Sequence, residues 1–219
     1  MAKKPTPRAP KKKAAGRKKA AGDPRARAIR AALDLAATET WPRVTLDAVA
    51  AKAGLTPEAL IEHFHSKRDL ANAIMGQVDD RMVAGSVYGA GDAESVRDRL
   101  FDVLMRRFEA MAPDKAAYRS ILEGSARDPK SALAMLCRFR RVMALTLETA
   151  GLSAAGPCGM LKAKGLGAVY LCALSAFFKD DAPDMAKTMA ALDKGLRRAG
   201  AVAEWLAGLT PPKPGTRPA

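Results

Sequence analysis

Beyond residue 22 the chain is written in apolar positions spaced three and four apart, which is the period of amphipathic helices. Asp23-Pro24 supplies an N-cap with proline at the first helical position, and a helix to about Glu39 follows. It carries Ile29, Leu33, Ala36 and Ala37 on one face, with Arg25, Arg27 and Arg30 elsewhere. Trp41-Pro42 ends it. Thr45 caps a short second helix with Leu46, Val49, Ala50 and Ala53 inward, and Gly54 provides the left-handed residue that closes it. Thr56 caps a third helix that begins at Pro57 and points Leu60 and Phe64 inward. Ser66 caps a fourth, with Asp69 three residues on in a variant of the capping box.

Past about Val87 the periodic segments lengthen. Gly89-Ala90-Gly91 breaks the chain, and a helix from Asp92 to Met111 is predicted with Val96, Leu100, Val103, Leu104 and Phe108 on one stripe. Pro113-Asp114 starts another, to about Ala126. Asp128-Pro129 starts a third, to about Ala150, whose stripe contains Leu133, Leu136, Cys137, Met143 and Leu147. Gly156-Pro157 opens a helix to Phe178, and Ala182-Pro183 precedes the last, from Asp184 to about Leu209. No internal repeat is found. The pattern divides the chain into a tail (1–22), a module of short helices (23–71), a larger helical unit (72–209) and a proline-rich end (210–219).

Composition sharpens this all-α reading. Only 5% of residues are aromatic, and Ala, Leu, Met, Lys and Arg dominate, side chains that lose little freedom in a helix. The net charge of +14 is concentrated: residues 1–22 contain nine lysines and arginines and no acid. Such a Lys/Pro/Ala-rich arm offers nothing to bury and reads as disordered. Its positive charges suit phosphate, with an affinity that falls steeply with salt; a purely solubilising tail is the ordinary alternative. The start of the chain lacks the apolar run of a secretory signal, and no apolar run approaches the roughly 18–20 residues that cross a bilayer. Cys137, Cys158 and Cys172 lack metal or redox spacing, which points to buried thiols in a reducing cytoplasm.

The run from Thr45 to Leu70 resembles the DNA-binding domain of TetR-type transcriptional regulators. The residues that carry the resemblance are Thr45, Leu46, Val49, Ala50, Ala53-Gly54-Leu55-Thr56, Leu60, Phe64, Ser66-Lys67 and Leu70. The likeness covers roughly 45–50 residues, and beyond them only helix number and length agree. It implies a helix-turn-helix whose reading helix, Thr56 to His63, enters a DNA groove, with Thr45 and Lys67 beside the phosphates. The resulting DNA-contact set is Arg43, Thr45, Thr56, Pro57, Glu58, Ala59, Ile61, Glu62, His63 and Lys67. Here the sequence departs from the family pattern. Ile61 stands where a phosphate-binding tyrosine is common, and Glu58 and Glu62 share a face that repels phosphate. A glutamate at the start of a helix also has a simpler role, in stabilising the helix dipole.

The same resemblance implies a larger dimerising and ligand-binding unit. Its last two helices would form a homodimer, with Gly165, Gly167, Leu171, Leu192 and Leu196 at the interface, and two reading helices about 34–36 Å apart on a palindromic operator. A small apolar ligand would sit among Leu104, Phe108, Met111, Leu122, Leu136, Phe139, Met143 and Leu147, residues that serve equally as plain core. The segment Phe177-Phe178-Lys179-Asp180-Asp181-Ala182-Pro183-Asp184, with Thr188 and Leu192-Asp193, is also similar to the ending of lipid-binding accessory proteins of ubiquinone biosynthesis that keep the TetR architecture. Those proteins end in an amphipathic membrane helix, which Pro211, Pro212, Pro214 and Pro218 preclude here. No carboxylate pair, Ser/His/Asp set or glycine-rich phosphate loop marks an enzyme. His63 and His65 are two apart and lack metal spacing, so neither a metal nor a cofactor is expected. The leading expectation is a ligand-responsive, homodimeric DNA-binding regulator, and the alternative is a non-catalytic isoprenoid- or quinone-binding protein.

Overall fold

Asp23 accepts a hydrogen bond from the Arg25 amide, and from that cap the chain enters α1, Pro24–Thr38. This is the first element of a computed structural model that describes residues 22–84 and 95–209, for 202–209 the backbone alone. The tails, the Gly89–Gly91 break and the expected helix start at Asp92 lie outside the described residues. A 3-10 turn at Trp41–Arg43 leads to α2 (Leu46–Ala53), α3 (Pro57–His63) and α4 (Lys67–Val83). After the undescribed segment come α5 (Val96–Met111), α6 (Lys115–Ala126), α7 (Pro129–Thr149), α8 (Gly156–Phe177) and α9 (Ala186–Leu209). No strand occurs among the described residues.

Each start has a local cause. Ser95 caps α5 by accepting from the Asp98 amide, so this helix begins at Val96. Asp128 caps α7 through the Ser131 amide at 2.8 Å, with Pro129 at its first position. The last helix begins two residues later than the sequence suggests, because Asp180 organises the turn before it. The Asp180 carboxylate accepts from the Thr188 amide and hydroxyl, both at 2.8 Å, and from the Ala182 amide at 3.3 Å. The acidic junction is thus a buried capping device between α8 and α9.

The elements pack as two layers that share α1 and α4. Helix α1 lies against α2 and α3 on one side and α6 on the other, while α4 packs on α1, α5 and α7. In α1 the inward residues are Ala28, Ile29, Ala32, Leu33 and Ala36, whereas Ala37 is exposed. Arg30 on α1 forks onto both Asp114 oxygens ahead of α6, at 2.7 and 2.8 Å. Half of the Arg30 side chain remains in solvent, so this pair contributes about 1 kcal/mol or less.

Deeper, Phe108 of α5 stacks on Tyr170 of α8 with centroids 5.2 Å apart, and packs on Phe177 at 5.3 Å. Phe139 of α7 completes the cluster at 5.8 Å from Tyr170. Such pairs add about 0.5–1.5 kcal/mol each beyond their burial. Within it sits a charged network. Arg107, 4% exposed, donates to Asp79 of α4 and, at 3.0 Å, to the Tyr170 hydroxyl; Arg138 of α7 donates to the other Asp79 oxygen.

Several inward assignments change at this level. Leu133, Leu136 and Cys137 are exposed, since the first half of α7 is turned outward and its buried face is Val142, Met143, Thr146 and Leu147. Cys158 and Cys172 also face solvent, so none of the three thiols is buried as expected. Helix α8 is, by length and composition, apolar enough to cross a membrane, contrary to expectation. Its many small residues dilute Lys162 and Lys164, and only a third of its apolar window is buried within the subunit.

Candidate nucleic-acid interface

Three hydroxyls fix the geometry of the short helices. Thr45 accepts from the Ala48 amide (3.2 Å), Thr56 from Ala59 (3.2 Å) and Ser66 from Asp69 (3.1 Å), each satisfying a donor that a helix start leaves open. Between α2 and α3, Gly54 adopts φ 62°, and the Leu55 amide reaches the Ala50 carbonyl at 2.9 Å. A β-carbon at Gly54 would meet nothing within 4 Å, so glycine is required there for its backbone angle alone. Leu60 and Phe64 anchor α3 inward at 0% and 2% exposure, and the Arg25 guanidinium lies 5.7 Å from the Phe64 ring centre. Arg27 reaches from α1 to the Gly54 carbonyl at 3.4 Å.

The remaining face of α3 is free. Thr56, Pro57, Glu58, Ile61, Glu62 and His63 are exposed, Ile61 at 52%, and Ala59 is half-buried. Arg43 and Thr45 are exposed as well, although the Thr45 hydroxyl is already used as a cap. Lys67 is placed differently from the phosphate-holding role the resemblance implies. Its ammonium donates to the Trp41 carbonyl and, at 3.2 Å, to that of Pro42, and it lies 4.8 Å from the centre of the Trp41 ring. Burial lowers its pKa. Lys67 therefore acts first as a tie between α4 and the 3-10 turn.

The residues assigned to an apolar pocket differ in their surroundings. Leu104, Phe108, Met111, Met143 and Leu147 are closely packed core at 0–2% exposure, and Leu136 faces outward at 54%. Phe139 rests on Gly167, where a β-carbon would come within 3.1 Å of its ring. Leu122 borders a cleft of about 550 Å³ between α4, α6, α7 and the 3-10 turn. The sequence reading missed this cleft and the Asp79–Arg107–Arg138–Tyr170 network. The available signal was Asp79 directly beside Val78 in the inward stripe of α4, and Arg107 beside Phe108 in that of α5.

Of the residues assigned to a dimer interface, Gly165 and Leu171 are on the free surface of α8. Gly167, Leu192 and Leu196 face the interior of the subunit, the two leucines at 0% and 4% exposure. The close approach of α8 and α9 uses Gly195 instead, where a β-carbon would lie 2.6 Å from Val169.

Residues 28–74 match the model of bacterial regulatory proteins of the tetR family. No curated protein matches the chain. Solved structures resemble it over most of its length. A TetR transcriptional regulator from Nitrosomonas europaea ATCC 19718 is 20% identical with a TM-score of 0.69, covering 82% of this chain and 99% of that one. One from Rhodococcus sp. RHA1 is 19% identical at a TM-score of 0.57, covering 80% and 94%. A SmeT–triclosan complex is 21% identical at 0.53, covering 80% and 90%. Residues 28–74 thus form a capped helix-turn-helix of the tetR type with an exposed third helix, on a fold that these solved TetR regulators share.

Proposed function

We propose that the protein is a homodimeric regulator that reads a palindromic operator and answers to a small ligand. The observation that carries the reading is α3 itself: it is held from behind by Leu60 and Phe64 while its N-terminal end and one whole face stay open. A helix entering the major groove needs that arrangement. Glu58 and Glu62 on this face accept from cytosine amino groups better than they tolerate phosphate, so backbone grip falls to Arg43, Lys52 and the basic arm of residues 1–22.

Dimerisation is supported by α8. Met160, Leu161 and Leu171, at 50–60% exposure, lie with Gly165, Ala168 and Cys172 on surface that the subunit leaves uncovered. A largely apolar stripe of that kind, with Lys164 in its midst, marks an interaction surface, and the open space around Gly165 admits a closely approaching helix. Ligand response is supported by the SmeT–triclosan likeness and by the cleft at the joint between the two layers.

Selection of bound sequences from a random DNA pool, at moderate salt, tests the reading. A palindromic motif with half-sites about one helical turn apart is the expected product, and it persists with weaker affinity when residues 1–22 are deleted. Enrichment of no motif would overturn the operator-binding role.

A further inference from the structure

We propose that the cleft between α4, α6, α7 and the Trp41–Arg43 turn binds a carboxylate carried on an apolar body. The site is separate from the interior of α5, α7 and α8, where Leu104, Phe108 and Met143 are buried core. Its volume of about 550 Å³ falls in the range of small-molecule sites, roughly 300–1,000 Å³. Trp41, Met75, Ile121, Leu122 and Met135 supply an apolar floor.

The charges around that floor are unbalanced. Lys67, Arg68, Arg127, Lys130 and Arg138 border the cleft against one acid, Asp128. That carboxylate is committed to the Ser131 amide as the cap of α7. Arg68 and Arg127 form no ion pair among the described residues.

Arg138 gives the imbalance a direction. It shares the single carboxylate of Asp79 with Arg107, so two guanidinium groups are set against one negative charge. Its Nε is buried and has no hydrogen-bond partner. A buried unpaired donor on a charged group costs free energy, and the surplus positive charge of this pair favours an anion beside it. The planar guanidinium fork matches a carboxylate specifically. The first turns of α4 and α7 both line the cleft, and the positive end of a helix dipole favours negative charge. Neutral apolar molecules would fill the floor and leave all of this unanswered.

An occupant would touch Trp41, Pro42 and Lys67 on the helix-turn-helix side and Leu122, Arg127 and Arg138 on the other. Any effect on DNA rests on the regulator reading above; the binding does not. Trp41 makes the test direct, since it and Trp205 are the two tryptophans. In a full-length Trp205→Phe protein, titration with decanoate is expected to change Trp41 emission saturably, with one site by calorimetry. Decanol should bind at least tenfold more weakly. Arg68→Gln with Arg127→Gln, both exposed positions, should weaken decanoate at least tenfold and leave decanol unchanged. Leu122→Trp, which fills the floor, should weaken both. Equal binding of decanol and decanoate, or an unchanged decanoate affinity in the double variant, would overturn the proposal. DNA binding by anisotropy is measured in parallel: decanoate that binds as described without altering it leaves the site standing and removes only its link to regulation.

Discussion

Gly124 of α6 sits so close to Trp41 that a β-carbon there would lie 2.7 Å from the Trp41 β-carbon and 2.9 Å from Pro42 Cδ. One turn earlier, the Ser120 hydroxyl accepts from the Trp41 amide at 2.8 Å and donates to the Glu39 carbonyl at 3.2 Å. With Lys67 bonded to the Trp41 and Pro42 carbonyls, the 3-10 turn is gripped from α6 and α4 together. The helix-turn-helix is thereby seated on the larger layer by a short, tight contact.

Gly124→Ala should therefore lower the melting temperature, at a cost of about 1–3 kcal/mol for overpacking against side-chain carbons that have no flexible end to move. Thermal denaturation followed by circular dichroism reads the change, and an unaltered midpoint would show that the contact is loose.

Asp79 faces two guanidinium groups, and one of them is almost wholly buried. Asp79→Ala should destabilise by about 3–5 kcal/mol, because it leaves uncompensated charge inside. Tyr170→Phe removes one acceptor of Arg107 and should cost about 1 kcal/mol. Urea unfolding of the two variants compares them; equal losses would mean that Asp79 is not the balancing charge.

Asp180 ties stability to pH. Burial by itself raises its pKa, but the hydrogen bonds from Thr188 and Ala182 outweigh that and hold it below the usual carboxylate range. A carboxylate with a depressed folded pKa stabilises fully above its unfolded value of about 3.9 and loses this as pH falls through the folded value. Asp180→Asn should thus lower the melting temperature at pH 7, with the gap to the parent closing below about pH 4. A gap that is the same at pH 7 and pH 3 would assign its effect to packing instead.

Glu58 and Glu62 stand exposed on α3. Changing both to lysine should raise affinity for random-sequence DNA at low salt and steepen its salt dependence by about 0.9 in logarithmic slope per phosphate newly neutralised. Anisotropy titrations across a salt series measure both. No change in either would mean that this face stays away from DNA.

Leu171, 53% exposed on α8, should be silent in an isolated subunit and disruptive in a dimer. Leu171→Arg is expected to halve the mass seen by light scattering while leaving helical content intact. A mass identical to that of the parent would move the interface elsewhere.

Helix positions and the helix-turn-helix were legible from residues alone because their causes are local. Asp23, Thr45, Thr56, Ser66 and Asp128 cap the helices that follow them, and Gly54 takes the left-handed angle, all within one turn of chain. What helical period could not decide was which apolar stripe meets another helix. Leu136 and Leu192 look alike in sequence, yet one is 54% exposed and the other fully buried. The same holds for glycines: Gly165 faces open space, while Gly195, spaced no differently along its helix, lets α9 close on Val169. Burial depends on partners far away in the chain, and so does charge. Asp79, Arg107 and Arg138 come from three helices and only packing makes them one cluster. Short-range hydrogen bonding and backbone geometry wrote the list of elements. Long-range packing decided where the cleft lies and which surface α8 leaves uncovered.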